Sequence, residues 1–312
     1  MGVDRLIVGT RGSELALWQS KHIKSKLSSL YPRLQVELQI IKTLGDKILD
    51  SPLSRIGDKG LFTKEIERAL ADKSIDLAVH SLKDVPTHLP DGLTIGAITQ
   101  REDVRDVFIA HPGKKHTHFN KLPQNAQIAT GSLRRRSQLL HARPDLRIIE
   151  IRGNLNTRMK KLEESDWDGM ILAHAGVVRL GWEARITEIL PFETMLPAVG
   201  QGALAIEIRE DDTTTRQMIQ ALHHDATARS VLGERALLRF LEGGCQVPIG
   251  TYGRIEGGQF RLDAVIGSLD GRRVVRGEIS GTPAQSEQLG EELAQQLLSR
   301  GGKEILEEIR SL

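Results

Sequence analysis

The chain has 312 residues, 39% of them hydrophobic and 27% charged; this describes two or three folded domains and excludes a disordered chain. Its 43 basic and 41 acidic residues leave a net charge of +2, so bulk electrostatics give no reason to expect nucleic acid, and 4% aromatics argues against a base-stacking platform. The single cysteine cannot form an intramolecular disulfide, no apolar run reaches membrane-spanning length, and the start shows no signal or transit pattern, so the expected setting is cytoplasmic.

In chain order, "LIVGT" reads as a strand and is followed by an amphipathic helix from about Ser13 to Leu30. "QVELQIIKT" alternates as a strand, "LFTKEIERALADKS" has helical spacing, and "IDLAVHS" and "LTIGAITQ" are further strands. The order predicts a mostly parallel sheet with helices on both faces. After about residue 105 the pattern restarts. Strands "DVFIA" and "QIAT" precede helix "SLRRRSQLLHARP". Strand "RIIEI", helix "NTRMKKLEES", strand "GMILAHAG" and a helical "VRLGWEARI" follow, and "LPAVGQGALAIEIRE" is a loop entering a strand. The last ninety or so residues differ. A helix near 225–242 leads to Cys245, alternating runs with Gly turns predict an antiparallel sheet, and "SEQLGEELAQQLLSR" is a final helix. The expected fold class is α/β, with two α/β domains around a cleft and a smaller α+β C-terminal domain. The expected boundaries are 1–104 plus 200–220, 105–199, and 221–312.

Three strand-to-helix corners carry cations. Arg11 and Ser13 sit in the first. Thr130, Gly131, Ser132, Arg134 and Arg135 sit in the second, and Arg152, Asn154 and Arg158 in the third. A helix N-terminus presents unpaired N–H groups and partial positive charge, so it attracts anions. Arg adds a planar fork that fits a carboxylate or phosphate. Each corner also has a plain reading, an ordinary cap with a solvated arginine. Cations at helix N-termini oppose the dipole, so three such corners suggest a ligand with several negative groups. None is a phosphate loop: GxxxxGKS/T and a post-strand GxGxxG are both missing.

"AVHSLKDVPTHLP" ends a strand at His80 and places Lys83 and Asp84 in a Pro-rich loop. Strand C-termini of parallel sheets face the ligand crevice. Asp84 either serves chemistry there, stabilising a cation or accepting a proton, or caps the turn before Pro86. "HPGKKHTHFN" lacks the ligand pattern of a zinc site. Cys245, in "LEGGCQVPIG", is either a small buried hydrophobe or a thiol offered as a nucleophile on a glycine-bearing loop.

Taken together, "RGSELALWQ", "KGLFTKEIE", "AVHSLKDVP", "GSLRRRSQL", "RGNLNTR", "LPAVGQGA" and "LEGGCQVPIG" resemble the porphobilinogen deaminase family over nearly the whole chain. The resemblance implies two periplasmic-binding-protein-like lobes plus the small third domain. It implies a transferase that joins four porphobilinogen molecules head to tail with loss of four ammonia, then hydrolytically releases a linear hydroxymethylbilane. The chain would grow on a covalent dipyrromethane primer, held by a thioether on Cys245. Every pyrrole ring carries an acetate and a propionate, the polyanion that the three corners call for.

By motif match, Arg11, Ser13, Arg134, Arg135, Arg152 and Arg158 bind carboxylates, with Thr130, Ser132 and Lys83 assisting. Arg179 and Gln201 match further family positions, and Lys59 and Phe62 match a loop that covers the site. Asp84 is the implied catalytic group, bonding a pyrrole N–H and stabilising the cation left when ammonia departs. No metal is expected, nor a nucleic-acid or membrane partner, and a monomer is the plain expectation. The chain departs from the family pattern at Asp58, Ala129 and Gly131, so Gly131 is not counted as a ligand. His174 interrupts an apolar strand without an assigned role.

Overall fold

The computed structural model describes residues 4–47, 60–116, 118–242 and 247–311. Lys59, Asp58 and Cys245 lie outside them. The described residues form two compact units, the first made of 4–47, 60–102 and Gly202–Ala228, the second of Asp103–Gln201 and 229–311.

In unit 1, strand β1 (Arg5–Thr10) leads into helix α1 (Glu14–Leu30), then β2 (Gln35–Ile40), α2 (Lys64–Ala71), β3 (Leu77–Ser81) and β4 (Leu93–Ile98). A later strand, β10 (Leu204–Arg209), completes the sheet in the order β2-β1-β3-β10-β4, and helix α6 (Thr213–Ile219) follows it. Its core is the set the apolar spacing predicts: Leu6 and Val8 of β1, Ile23 and Leu27 of α1, Leu77 of β3, and Ile206 and Ile208 of β10 are all fully buried. The first three strands in that order are parallel, and β10 runs antiparallel to both neighbours.

Unit 2 repeats this frame. Strands β5 (Asp106–Ala110), β6 (Gln127–Ala129), β7 (Arg147–Ile149), β8 (Gly169–Ala173) and β9 (Glu188–Ile189) lie in the order β7-β6-β8-β5-β9. Helix α3 (Leu133–Ala142) follows β6, α4 (Leu155–Glu163) follows β7, and α5 (His174–Arg179) follows β8. Strand β5 is the antiparallel member here. So each sheet takes its fourth strand from the chain as it passes between units: β5 directly after β4, and β10 directly after β9. Periodicity predicts strands but not their direction, and this is where a mostly parallel expectation becomes a mixed sheet. The helix expected over "VRLGWEARI" instead begins at His174 and ends at Arg179. Gly181, at φ +71, turns the chain out of it, and His174 opens the helix rather than interrupting β8.

The smaller C-terminal domain belongs to unit 2. Strands β11 (Ile249–Glu256), β12 (Gln259–Gly267) and β13 (Val274–Gly281) form an antiparallel sheet. Gly257 and Gly258 join the first pair with positive φ at both positions, the requirement of a two-residue hairpin turn. Helices α7 (Asp225–Phe240), α8 (Ser286–Leu297) and α9 (Lys303–Arg310) cover it through Leu237, Leu293, Leu297 and Ile305. This domain grips the segment before β10. Arg276 donates to the carbonyls of Phe192 and Glu193, Thr251 N donates to Pro197 O, and the buried Glu234 of α7 accepts from Gly200 N and Gly253 N, each at 2.7 Å.

Candidate active site

In unit 1, β1 and β3 are adjacent and parallel, so the corner after β1 and the turn after β3 share the C-terminal edge of the sheet. Ser13 caps α1, its Oγ accepting from Ala16 N at 3.3 Å. Arg11 reaches back to Asp46, with Nη2 to Oδ1 at 2.5 Å and Nε to Oδ2 at 3.2 Å. Its guanidinium also lies 4.1 Å above the Phe62 ring, a cation–π contact. Burial pushes the Asp46 carboxyl up, but Arg11 and Thr43 outweigh it and hold it below the usual carboxylate range. After β3, Leu82–Asp84 form a single 3-10 turn. It is pinned by Leu82 N to Ala203 O and by Gln19 Nε2 to Ser81 Oγ at 2.6 Å. Lys83 is half-buried and Asp84 is exposed on this pinned turn.

In unit 2, β7, β6 and β8 are parallel neighbours. The segments after them carry Arg152 and Arg158, Thr130 to Arg135, and Arg179, so all seven sequence-selected cationic and hydroxyl groups of this unit follow one sheet edge. Ser132 caps α3 and Asn154 caps α4, each accepting a backbone N–H from the first turn. Thr130 is buried and its Oγ1 accepts from Ser132 N. A Cβ at Gly131 would lie 2.5 Å from Ile151 O, so this backbone accommodates only glycine there. Arg158 Nε donates to Gly153 O at 2.8 Å. Arg152 Nη1 is buried with no hydrogen-bond partner, and Arg179 is buried at the end of α5.

Arg134 and Arg135 are each 5% exposed and both turn onto Asp106, the fully buried first residue of β5. Because β5 is antiparallel, its start falls on the same edge as the ends of β6, β7 and β8. Arg135 donates from Nε and Nη2 to Oδ1 at 3.2 and 2.7 Å, and from Nη1 to Ile171 O. Arg134 donates from Nη1 to Oδ2 at 2.6 Å and to Leu196 O. Gln201, 1% exposed, donates to Asp106 Oδ1 and to Val104 O. Burial pushes the Asp106 carboxyl up, yet the two guanidiniums dominate and hold it well below the usual range. The structure thus gathers Arg134, Arg135 and Gln201 around a carboxylate that the sequence reading took only as the start of an apolar strand. The signal was an Asp leading the run "DVFIA", where burial demands a partner. Asp46 was missed likewise.

An arrangement with more buried guanidinium than carboxylate, served by helix N-termini, suits an anionic ligand carrying carboxylates. Among the described residues no cluster of His, Cys, Asp and Glu has the form of a metal site.

Two family models match the chain. One is described as porphobilinogen deaminase, dipyromethane cofactor binding domain, over residues 6–217, and the other as porphobilinogen deaminase, C-terminal domain, over 228–299. Porphobilinogen deaminase of Chlorobium phaeobacteroides is 56% identical over 310 residues, covering 98% of each chain. That of Chlorobaculum parvum is 56% identical over 308 residues, again covering 98% of each. Among solved structures, the methionine binding protein MetQ aligns with 74% of this chain and 96% of its own, at 15% identity and a TM-score of 0.45. The chain belongs to the porphobilinogen deaminase family, and is a transferase of tetrapyrrole biosynthesis with hydroxymethylbilane synthase activity and a dipyrromethane cofactor.

Proposed function

We propose that the chain joins four porphobilinogen molecules head to tail, releases four ammonia and then frees hydroxymethylbilane by hydrolysis, with Asp84 as the catalytic carboxylate and Cys245 as the thioether anchor. The observation that carries the reading is the Arg134–Asp106–Arg135 cluster, whose buried positive charge exceeds its negative charge. That donor set fits a group bearing several carboxylates. When bound, the dipyrromethane supplies the free pyrrole α-carbon to which units are added.

Arg134, Arg135, Thr130, Ser132 and Lys83 hold the cofactor in this reading. Arg11, Ser13, Arg152, Arg158, Arg179, Gln201, Lys59 and Phe62 bind the substrate side. Arg11 is now paired with Asp46 and covered by Phe62, so an incoming carboxylate exchanges one acidic partner for another. Ser13 and Ser132 use their oxygens as cap acceptors, which leaves their O–H groups free to donate. Asp84, exposed on a pinned turn, is the acceptor for a pyrrole N–H. Its negative charge stabilises the cation formed as ammonia leaves the substrate, and it assists the later proton loss. A carboxylate suits this step better than an imidazole because the charge it meets is positive.

The three-part division at residues 104, 199 and 220 is part of the proposal, as are a monomeric state and a cytoplasmic setting. No helix among the described residues is long and apolar enough to cross a membrane.

Intact mass is the direct test. Protein from cells that make porphobilinogen should exceed its sequence mass by one dipyrromethane, and colour with a pyrrole-reactive aldehyde. Both signals should vanish in Cys245→Ser. A bare sequence mass from such cells would overturn the anchor assignment.

A further inference from the structure

We infer that His80, Glu207 and Glu67 are positioning residues for the reaction: buried together under α2, they dock that helix on the strand that delivers Asp84, and a proton held among them keeps the contact closed. The inference rests on the proposed catalytic role of Asp84. The sheet of unit 1 has two unlike faces, because side chains alternate along a strand. Leu77 and Val79 of β3 and Leu204, Ile206 and Ile208 of β10 join the apolar core with Ile23 and Leu27 of α1. The alternate residues face α2, where Ala78 packs with Ile66, Ala69 and Leu70. His80 and Glu207 share that second face. Register sets Ala205 opposite His80 and Ala78 opposite Glu207, so two small residues leave room for the diagonal contact of His80 Nε2 with Glu207 Oε2 at 2.8 Å. Glu67 lies on the buried side of α2. Glu207 Oε1 and Glu67 Oε1 are both buried with no hydrogen-bond partner among the described residues.

Two carboxylates and one imidazole reach neutrality only with two protons among them. An unbalanced buried charge is costly, and a protonated carboxyl gains an O–H to offer an orphaned oxygen. Burial, reinforced by the charge of Glu207, pushes Glu67 above the usual carboxylate range, while His80 and Lys64 act on it in the opposite sense. Arg209, farther along β10, turns to Leu70 O, Ile75 O and the carboxylates of Asp212 and Asp76, and β4 brings no charged side chain. Rising pH therefore takes the proton from Glu67 and sets two buried negative charges against each other across the contact between α2 and the sheet. Both sides of that contact lead to the site. Strand β3 runs on through Ser81 into the Leu82–Asp84 turn, and α2 starts two residues after Phe62, whose ring covers Arg11.

The test is the pH profile of kcat and KM for porphobilinogen in the cofactor-loaded enzyme, with the attached cofactor checked by mass. Parent kcat should fall on the alkaline side while the cofactor mass stays. In Glu67→Gln, whose amide imitates the protonated carboxyl, that fall should flatten; any decline owed to the substrate's own amine stays in both proteins. His80→Gln leaves Glu207 and Glu67 facing each other without a cation. Its kcat should drop roughly tenfold or more, the scale of a small misplacement of reacting groups, with KM little changed. Adding Glu207→Gln to His80→Gln removes the repulsion and should restore much of the loss. Profiles of the same shape in the parent and Glu67→Gln, or no rescue of His80→Gln by Glu207→Gln, would overturn the inference. Should His80→Gln not fold, the comparison of parent and Glu67→Gln decides alone. Asp84→Asn separates this inference from the reading beneath it. Full turnover there would sink the catalytic role of Asp84, whereas a dead Asp84→Asn beside an unchanged Glu67→Gln profile would sink the docking cluster alone.

Discussion

Strand β10 of unit 1 and strand β5 of unit 2 hold the same place in sheets of the same order, and each buries a carboxylate completely: Glu207 on the first, Asp106 on the second. Their company differs. Glu207 meets His80 of β3, Nε2 to Oε2 at 2.8 Å, and the buried Glu67 of α2 is close enough for its charge to be felt. That cluster has acid in excess. Around Asp106 the excess is base. The two imbalances are relieved by different means. Burial, reinforced by the charge of Glu207, pushes Glu67 above the usual carboxylate range, so unit 1 can absorb its excess by keeping a proton. Arginine has no such recourse, and the proposed function meets the excess in unit 2 with the carboxylates of the cofactor. One frame thus yields an acid-rich buried cluster and a base-rich one.

The proposed function puts the catalytic carboxylate in unit 1 and most of the carboxylate-binding arginines in unit 2, and the largest expected effect tests that division. Asp84→Asn should lower kcat by about a hundredfold or more, the scale of a lost acid–base or charge-stabilising group, while the covalent cofactor mass stays. Loss of mass and turnover together would break the division.

Next in size is the acid limb of stability. Asp106 is held low, so its contribution is present above the ordinary aspartate range and is lost as pH falls through its depressed value. Thermal midpoints against pH should show a steep acid decline in the cofactor-free protein, flattened in Asp106→Asn. An identical slope in both would remove Asp106 as the source.

Glu67 carries the opposite sign. Its raised value means that the folded chain holds a proton the unfolded chain has lost, so stability falls as pH rises from the ordinary glutamate range through the raised value. Glu67→Gln should abolish that decline and leave the variant at least as stable as the parent at neutral pH. A less stable variant at every pH would show that the carboxylate is needed in its charged form.

Smallest is Arg276→Ala, which frees the carbonyls of Phe192 and Glu193 and should cost about 1 kcal/mol in denaturant unfolding, with turnover unaltered. Faster turnover would instead mean that this grip restrains the working enzyme.

How much of this was legible in the chain follows distance along it. Ser13, Ser132 and Asn154 were identified as helix starts because a cap reaches only three residues onward. The cation-bearing corners were found for the same reason, strand, turn and helix being contiguous. Cys245 and Lys59 fall outside the described residues, so their assignments rest on motif alone. Asp106 was invisible as a partner because 28 residues separate it from Arg134, and Asp46 because 35 separate it from Arg11.

By itself the sequence determined most of the elements, their order, the three corners and, through several long motifs, the family. Only the tertiary structure decided that β5 and β10 run against their neighbours, which brings Asp106 to the edge where the arginines gather. Apolar periodicity records which face of a segment is buried, but a buried charge must be balanced by whatever the fold brings beside it, and that is a property of the sheet rather than of any one stretch of chain.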